Sequence, residues 1–165
     1  MLTIALDQLT LARAALYRAL LGPGAGPPSP AVAEARLQAA LAGLRHAGDM
    51  QYLPSGLLTR AWQRRLAGDG DGARVDLDQA WAIAERGPMP LHQADILLTR
   101  ARLFGLPGVG WNKRSGSTES PQEPRKEPYP WTSPQADLAE ARRLIEECGY
   151  HRRDGELADA EAAIQ

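Results

Sequence analysis

The chain has 165 residues, enough for one compact domain or roughly four helical hairpins. Its 19 basic and 20 acidic residues leave a formal net charge of -1, so no long-range field draws nucleic acid or an anionic membrane. No apolar run reaches the length of a membrane span, the start Met1-Leu2-Thr3-Ile4-Ala5-Leu6-Asp7 lacks the basic region of a signal peptide, and the single Cys148 excludes an internal disulfide framework. Those features suit a cytoplasmic protein. Ala and Leu dominate the apolar residues, which favours helices with close-packed faces over sheets.

Seven helices are predicted. The first runs from about Thr3 to Leu21 and ends in the loop-forming stretch Gly22 to Pro28. The second has Ser29 as N-cap and Pro30 at its first position, and reaches Ala47 before Gly48. The third spans Pro54 to Ala67. Gly68-Asp69-Gly70 then makes a tight turn, and Asp71 is expected to cap the fourth, which ends at Arg86-Gly87-Pro88. The fifth runs from Pro90 to near Leu106. Residues 107–133 are rich in proline and charge and poor in core positions, so their centre, Lys113 to Pro128, is expected to be mobile. Thr132 or Ser133 caps the sixth helix, which carries Leu138, Ala141, Leu144 and Ile145 on one face and is broken by Gly149. The seventh, about His151 to Ile164, has one apolar face and charge elsewhere, as a terminal cap requires.

An internal echo joins these helices. Leu57-Leu58-Thr59-Arg60-Ala61 recurs as Leu97-Leu98-Thr99-Arg100-Ala101, forty residues on. The same offset carries Leu37, Ala40, Leu41 and Leu44 onto Leu77, Ala80, Trp81 and Ala84, and Leu77-x-x-Ala80 reappears as Leu138-x-x-Ala141. A period of that length holding two helical patterns indicates stacked helical hairpins. The expected fold class is therefore all-α. It is an antiparallel helical-hairpin solenoid of three unequal pairs plus a C-terminal capping helix, in one domain spanning 1–165. The insert 107–133 loops out between helices five and six.

Gly68-Asp69, Ala73, Leu77 and Ala80 resemble the tetratricopeptide pattern: a glycine-aspartate turn, then small and large apolar positions at fixed spacing. The pair 54–87 carries it well, and the pairs 2–48 and 90–149 carry it in part, without the usual near-34-residue spacing. Tyr129-Pro130-Trp131, Ala136 to Tyr150, His151-Arg152-Arg153 and Glu156-Leu157 resemble the end of C-terminal tetratricopeptide arrays in large bacterial regulators. The resemblance implies a sensor or partner-binding arm. No G-x-x-x-x-G-K-[ST] phosphate loop is present.

In such a stack the first helix of each pair lines a concave face, which nominates Arg60, Trp62, Arg65, His92, Asp95 and Arg102 as protein-binding residues. Arg60 and Arg100 equally suit a solvated face, and Trp62 the core. His151, Arg152 and Arg153 form a second basic cluster. Its alternative is structural, with Tyr150 packed at the helix break and an arginine paired with Glu146, Glu147 or the preceding helix's last carbonyls. Cys148-x-x-His151 offers two metal ligands where a closed zinc site needs four, with His46 and His92 in other hairpins, so no metal or other cofactor is expected. Asp69, Asp71, Asp76 and Asp78 read as turn and cap residues. They would also repel phosphates from a patch of Arg60, Arg64, Arg65 and Arg74. With no catalytic constellation, the function expected is a non-enzymatic protein- or peptide-binding scaffold. The alternative is a structural spacer or homo-oligomerisation module, motivated by Leu2, Leu6 and Leu9 on an uncapped first helix.

Overall fold

Every regular element of the structure, a computed structural model describing residues 1–21, 30–105 and 132–164, is helical, and there is no strand among the described residues. Among the described residues, seven α-helices run in chain order: α1 (Leu2–Leu21), α2 (Pro30–Ala47), α3 (Leu53–Leu66), α4 (Gly70–Arg86), α5 (Pro90–Phe104), α6 (Pro134–Cys148) and α7 (Asp154–Ala163). A 3-10 turn, His151–Arg153, precedes α7. The Ser29 cap and the insert's centre lie outside the described residues. No described helix is long and apolar enough to cross a membrane.

Local chemistry explains the boundaries. α3 begins one residue ahead of the expected Pro54, which then sits where a missing N–H costs nothing. At its other end Gly68 takes φ 86°, a left-handed conformation that suits glycine. The Gly68 N–H donates to Arg65 O at 3.1 Å and the Asp69 N–H to Arg64 O at 2.8 Å, so the last carbonyls of α3 are satisfied as the chain reverses. The cap of α4 is Asp69 rather than the expected Asp71. Its backbone is non-helical (φ -84°, ψ 75°), and its carboxylate accepts the Gly72 N–H at 2.8 Å. Asp71 falls inside the first turn, where its charge still complements the helix dipole. Ser133 caps α6 as expected, accepting the Ala136 N–H at 3.1 Å. Gly149, at φ 64°, ends it. The expected seventh helix starts later, because the Arg153 N–H bonds to Tyr150 O and tightens residues 151–153 into the 3-10 turn.

The chain divides into two compact units, Met1–His92 and Gln93–Gln165. In the first, α1 packs on α2, α2 on α3, and α3 on α4. The predicted stripe Leu37, Ala40, Leu41, Leu44 is sealed from solvent, as are Leu57, Ala73, Leu77 and Ala80. Two glycines set the closeness of this packing. A Cβ on Gly43 would stand 2.8 Å from the Ala5 Cβ, and one on Gly56 2.7 Å from a Leu41 methyl. Arg13 of α1 reaches α3, donating through Nε to Thr59 Oγ1 and through Nη2 to Ser55 O, both at 2.9 Å.

The second unit is built on α5, α6 and α7. Its core holds Leu97, Ala101, Leu138, Ala141, Ile145, Leu157 and Ala160, all nearly inaccessible. Gly105, Pro134 and Ile164 meet where these helices converge: a Cβ on Gly105 would lie 2.7 Å from the Pro134 Cβ and 2.9 Å from the Ile164 Cδ1.

Candidate functional site

The echoed pentapeptide is a structural device. Thr59 Oγ1 donates to Ser55 O at 2.9 Å, and Thr99 Oγ1 repeats this on Asp95 O at 2.7 Å. Arg60 grips Asp76 of α4 with two bonds, Nε to Oδ2 at 2.9 Å and Nη2 to Oδ1 at 2.6 Å. Arg100 grips Asp137 of α6 through the same atoms, Nε to Oδ2 at 2.5 Å and Nη2 to Oδ1. Each pair clasps two helices of one unit. Planar guanidinium against carboxylate is the geometry that compensates two buried charges best. Arg64 adds a second cation to Asp76 at 3.1 Å and donates to Gly72 O at 2.9 Å.

This placement revises several sequence expectations. Asp76 is fully buried and ion-paired rather than a cap or turn residue. The solvated alternative for Arg60 and Arg100 does not occur, since their side chains are 12% and 3% exposed. The signal that sequence reasoning missed was present: Asp76 and Asp137 each stand directly before an echoed leucine, Leu77 and Leu138. Burial pushes the Asp137 carboxyl above its ordinary range, and the Arg100 hydrogen bond and charge pull only part of the way back.

The other nominated residues fall in different places. Trp62 and Arg65 are half-buried on α3 and engaged with neighbours. His92 closes the first unit with Nδ1 buried and unbonded. Asp95 and Arg153, nominated for separate clusters, meet each other: Arg153 Nε donates to Asp95 Oδ1 at 2.8 Å, and the Tyr150 hydroxyl to Asp95 Oδ2 at 3.4 Å. Arg153 also bonds Glu156, which receives Arg102 Nη1 at 3.5 Å. The predicted partners of the basic cluster, Glu146 and Glu147, belong instead to Arg142 (3.9 Å) and Arg143 (2.6 Å), because the 3-10 turn swings Arg153 toward α5. Arg152 lies over the Tyr150 ring at 4.9 Å, and His151 Nδ1 is 3.2 Å from Asp154. Burial opposes the charge on Arg153, but Asp95 and Glu156 outweigh it and raise its pKa. Cys148 is exposed, and no group of three or more metal-ligating side chains exists among the described residues.

An open apolar groove of about 400 Å³ lies between α1 and α2. Ile4 and Gln8 form one wall. Ala35, Ala39 and Gly43, at four-residue spacing on α2, form a smooth floor with Arg36 beside them. Ile4 is 65% exposed. The sequence places the open stripe of α1 at Leu2, Leu6 and Leu9. Leu9 is instead buried with Ala5 and Ala12, and Leu2 and Leu6 are half-buried. The exposed large apolar residues among the described side chains of α1 are Ile4, Leu11 and Tyr17. No protein-family model, no curated protein and no solved structure matches the chain.

Proposed function

We propose that this protein is a non-enzymatic scaffold of tetratricopeptide type that binds a protein or peptide segment, with the α1–α2 groove as a docking face. One observation carries the reading: an apolar channel stays open to solvent in the hairpin where α2 offers only small side chains, with a guanidinium at its edge. Grooves of this shape accept the apolar face of a helix, and an arginine at the rim adds a fixed point for a carboxylate. The Gly68-Asp69 turn and the sealed Ala73, Leu77 and Ala80 support the tetratricopeptide reading of the pair α3–α4. On that resemblance the protein is a cytoplasmic partner-binding arm of a bacterial regulator, working alone or within a longer chain.

The test is selection from a displayed peptide library followed by calorimetry. Selected peptides are expected to bind the wild type and to lose at least about tenfold in affinity to an Ala39→Glu variant, whose side chain obstructs the floor and whose charge a bound apolar face would desolvate. Equal binding to both proteins would remove the groove from the proposal.

A further inference from the structure

The α1–α2 hairpin carries no such clasp at the matching position, and it leaves Arg36 at the groove's edge and Asp7 exposed on the stripe of α1 that carries Ile4. In α4 and α6 the residue before the echoed leucine is acidic, Asp76 before Leu77 and Asp137 before Leu138, and each is held by an arginine. In α2 the residue before the matching Leu37 is Arg36. Gly43 lies against Ala5, so the antiparallel register brings Ala12, buried and uncharged, opposite Arg36. Arg36 is left half-buried at the groove's edge, with no ion-pair partner among the described residues. On α1, Asp7 is exposed between Ile4 and Leu11, three and four residues away on the same stripe, and it too lacks a described partner.

We infer that the groove takes α1 of a second copy of this chain, in a two-fold dimer where Asp7 of each copy pairs with Arg36 of the other. This rests on the groove being a docking face, as proposed above. A two-fold interface must be self-complementary, each residue meeting the partner's counterpart in both directions. The α1–α2 hairpin meets that condition in charge, with one carboxylate and one guanidinium that have no partner among the described residues. It also meets it in shape, with the projecting Ile4 and Leu11 beside the Ala35-Ala39-Gly43 floor. Two ion pairs and two apolar insertions then form for every dimer.

The experiment is sedimentation equilibrium of the full chain over a concentration series, for wild type, Asp7→Arg, Arg36→Glu, the double variant and an equimolar mixture of the two single variants. The wild type is expected to dimerise reversibly. Each single reversal sets two like-charge contacts across the interface and weakens dimerisation by at least about tenfold. The double variant and the mixture restore both pairs, the mixture as a heterodimer, and recovery there also shows that the single variants are folded. A strictly monomeric wild type, a dimer indifferent to the single reversals, or failure of the double variant and the mixture to recover each overturns the inference. If the wild type is monomeric while selected peptides still discriminate Ala39→Glu, the groove stands and only the second copy is lost.

Discussion

The Arg100–Asp137 clasp gives a quantitative test of what holds the second unit together. Both side chains are nearly sealed, at 3% and 6% exposure. Replacing Arg100 by Met leaves a buried carboxylate without its cation, and replacing Asp137 by Leu leaves a buried guanidinium without its anion. Either single change is expected to cost about 3–5 kcal/mol, the penalty of an uncompensated buried charge. The double change removes both desolvation costs and the attraction together. The raised pKa of Asp137 shows that burial outweighs the attraction of Arg100 for the charged form. The double variant is therefore expected within about 1 kcal/mol of wild type. The assay is hydrogen exchange by NMR at the amides of Ala141, Leu144 and Ile145, which reports opening of α6 itself. Single replacements that lower the opening free energy by less than about 1 kcal/mol would refute the reasoning, as would a double variant as unstable as the sum of the singles.

Other expectations follow from the same geometry. Asp76→Asn should destabilise the first unit by about 3 kcal/mol or more, read from a lower urea midpoint, because Arg60 and Arg64 both lose their buried counter-charge. Gly43→Val forces a methyl group into Ala5 and should cost about 1–3 kcal/mol, seen as a fall in melting temperature of the α1–α2 pair. Gly68→Ala meets no neighbouring atom, so only the left-handed backbone is penalised, by about 1–2 kcal/mol in chemical denaturation. The sign of the Asp137 effect can be checked by pH. Its folded pKa lies above the unfolded value, so its contribution to stability is full below the unfolded value and lost as pH rises through the folded one. The stability gap between wild type and Asp137→Leu should therefore not shrink on acidification from pH ~5 to ~3 in urea titrations. A gap that narrows with acid would mean that the ionised pair dominates.

Much of this architecture was legible from residue spacing. Leu37, Ala40, Leu41 and Leu44 predicted a buried face of α2, and all four are sealed. Ser133 and Gly149 marked the ends of α6, since capping and left-handed termination depend on neighbours within a turn. The forty-residue echo marks equivalent helices in the sequence itself, and the repeated Thr and Arg contacts give it a physical basis.

What spacing could not supply was the identity of partners distant in sequence. Arg60 finds its acid 16 residues on, while Arg100 finds the equivalent acid 37 residues on, across the insert. Arg153 crosses 58 residues to Asp95. A charged side chain on an amphipathic helix reads as a solvated or ligand-facing group until the packing shows which face it shares. The same holds for α1, where Leu2, Leu6 and Leu9 at helical spacing suggested one open stripe and the close approach of Gly43 to Ala5 turned the helix to another. Local backbone preference and apolar periodicity thus determined the helices and their pairing. Which charges were buried in clasps, and which face of the first hairpin stayed open, were decided only when the helices came into van der Waals contact.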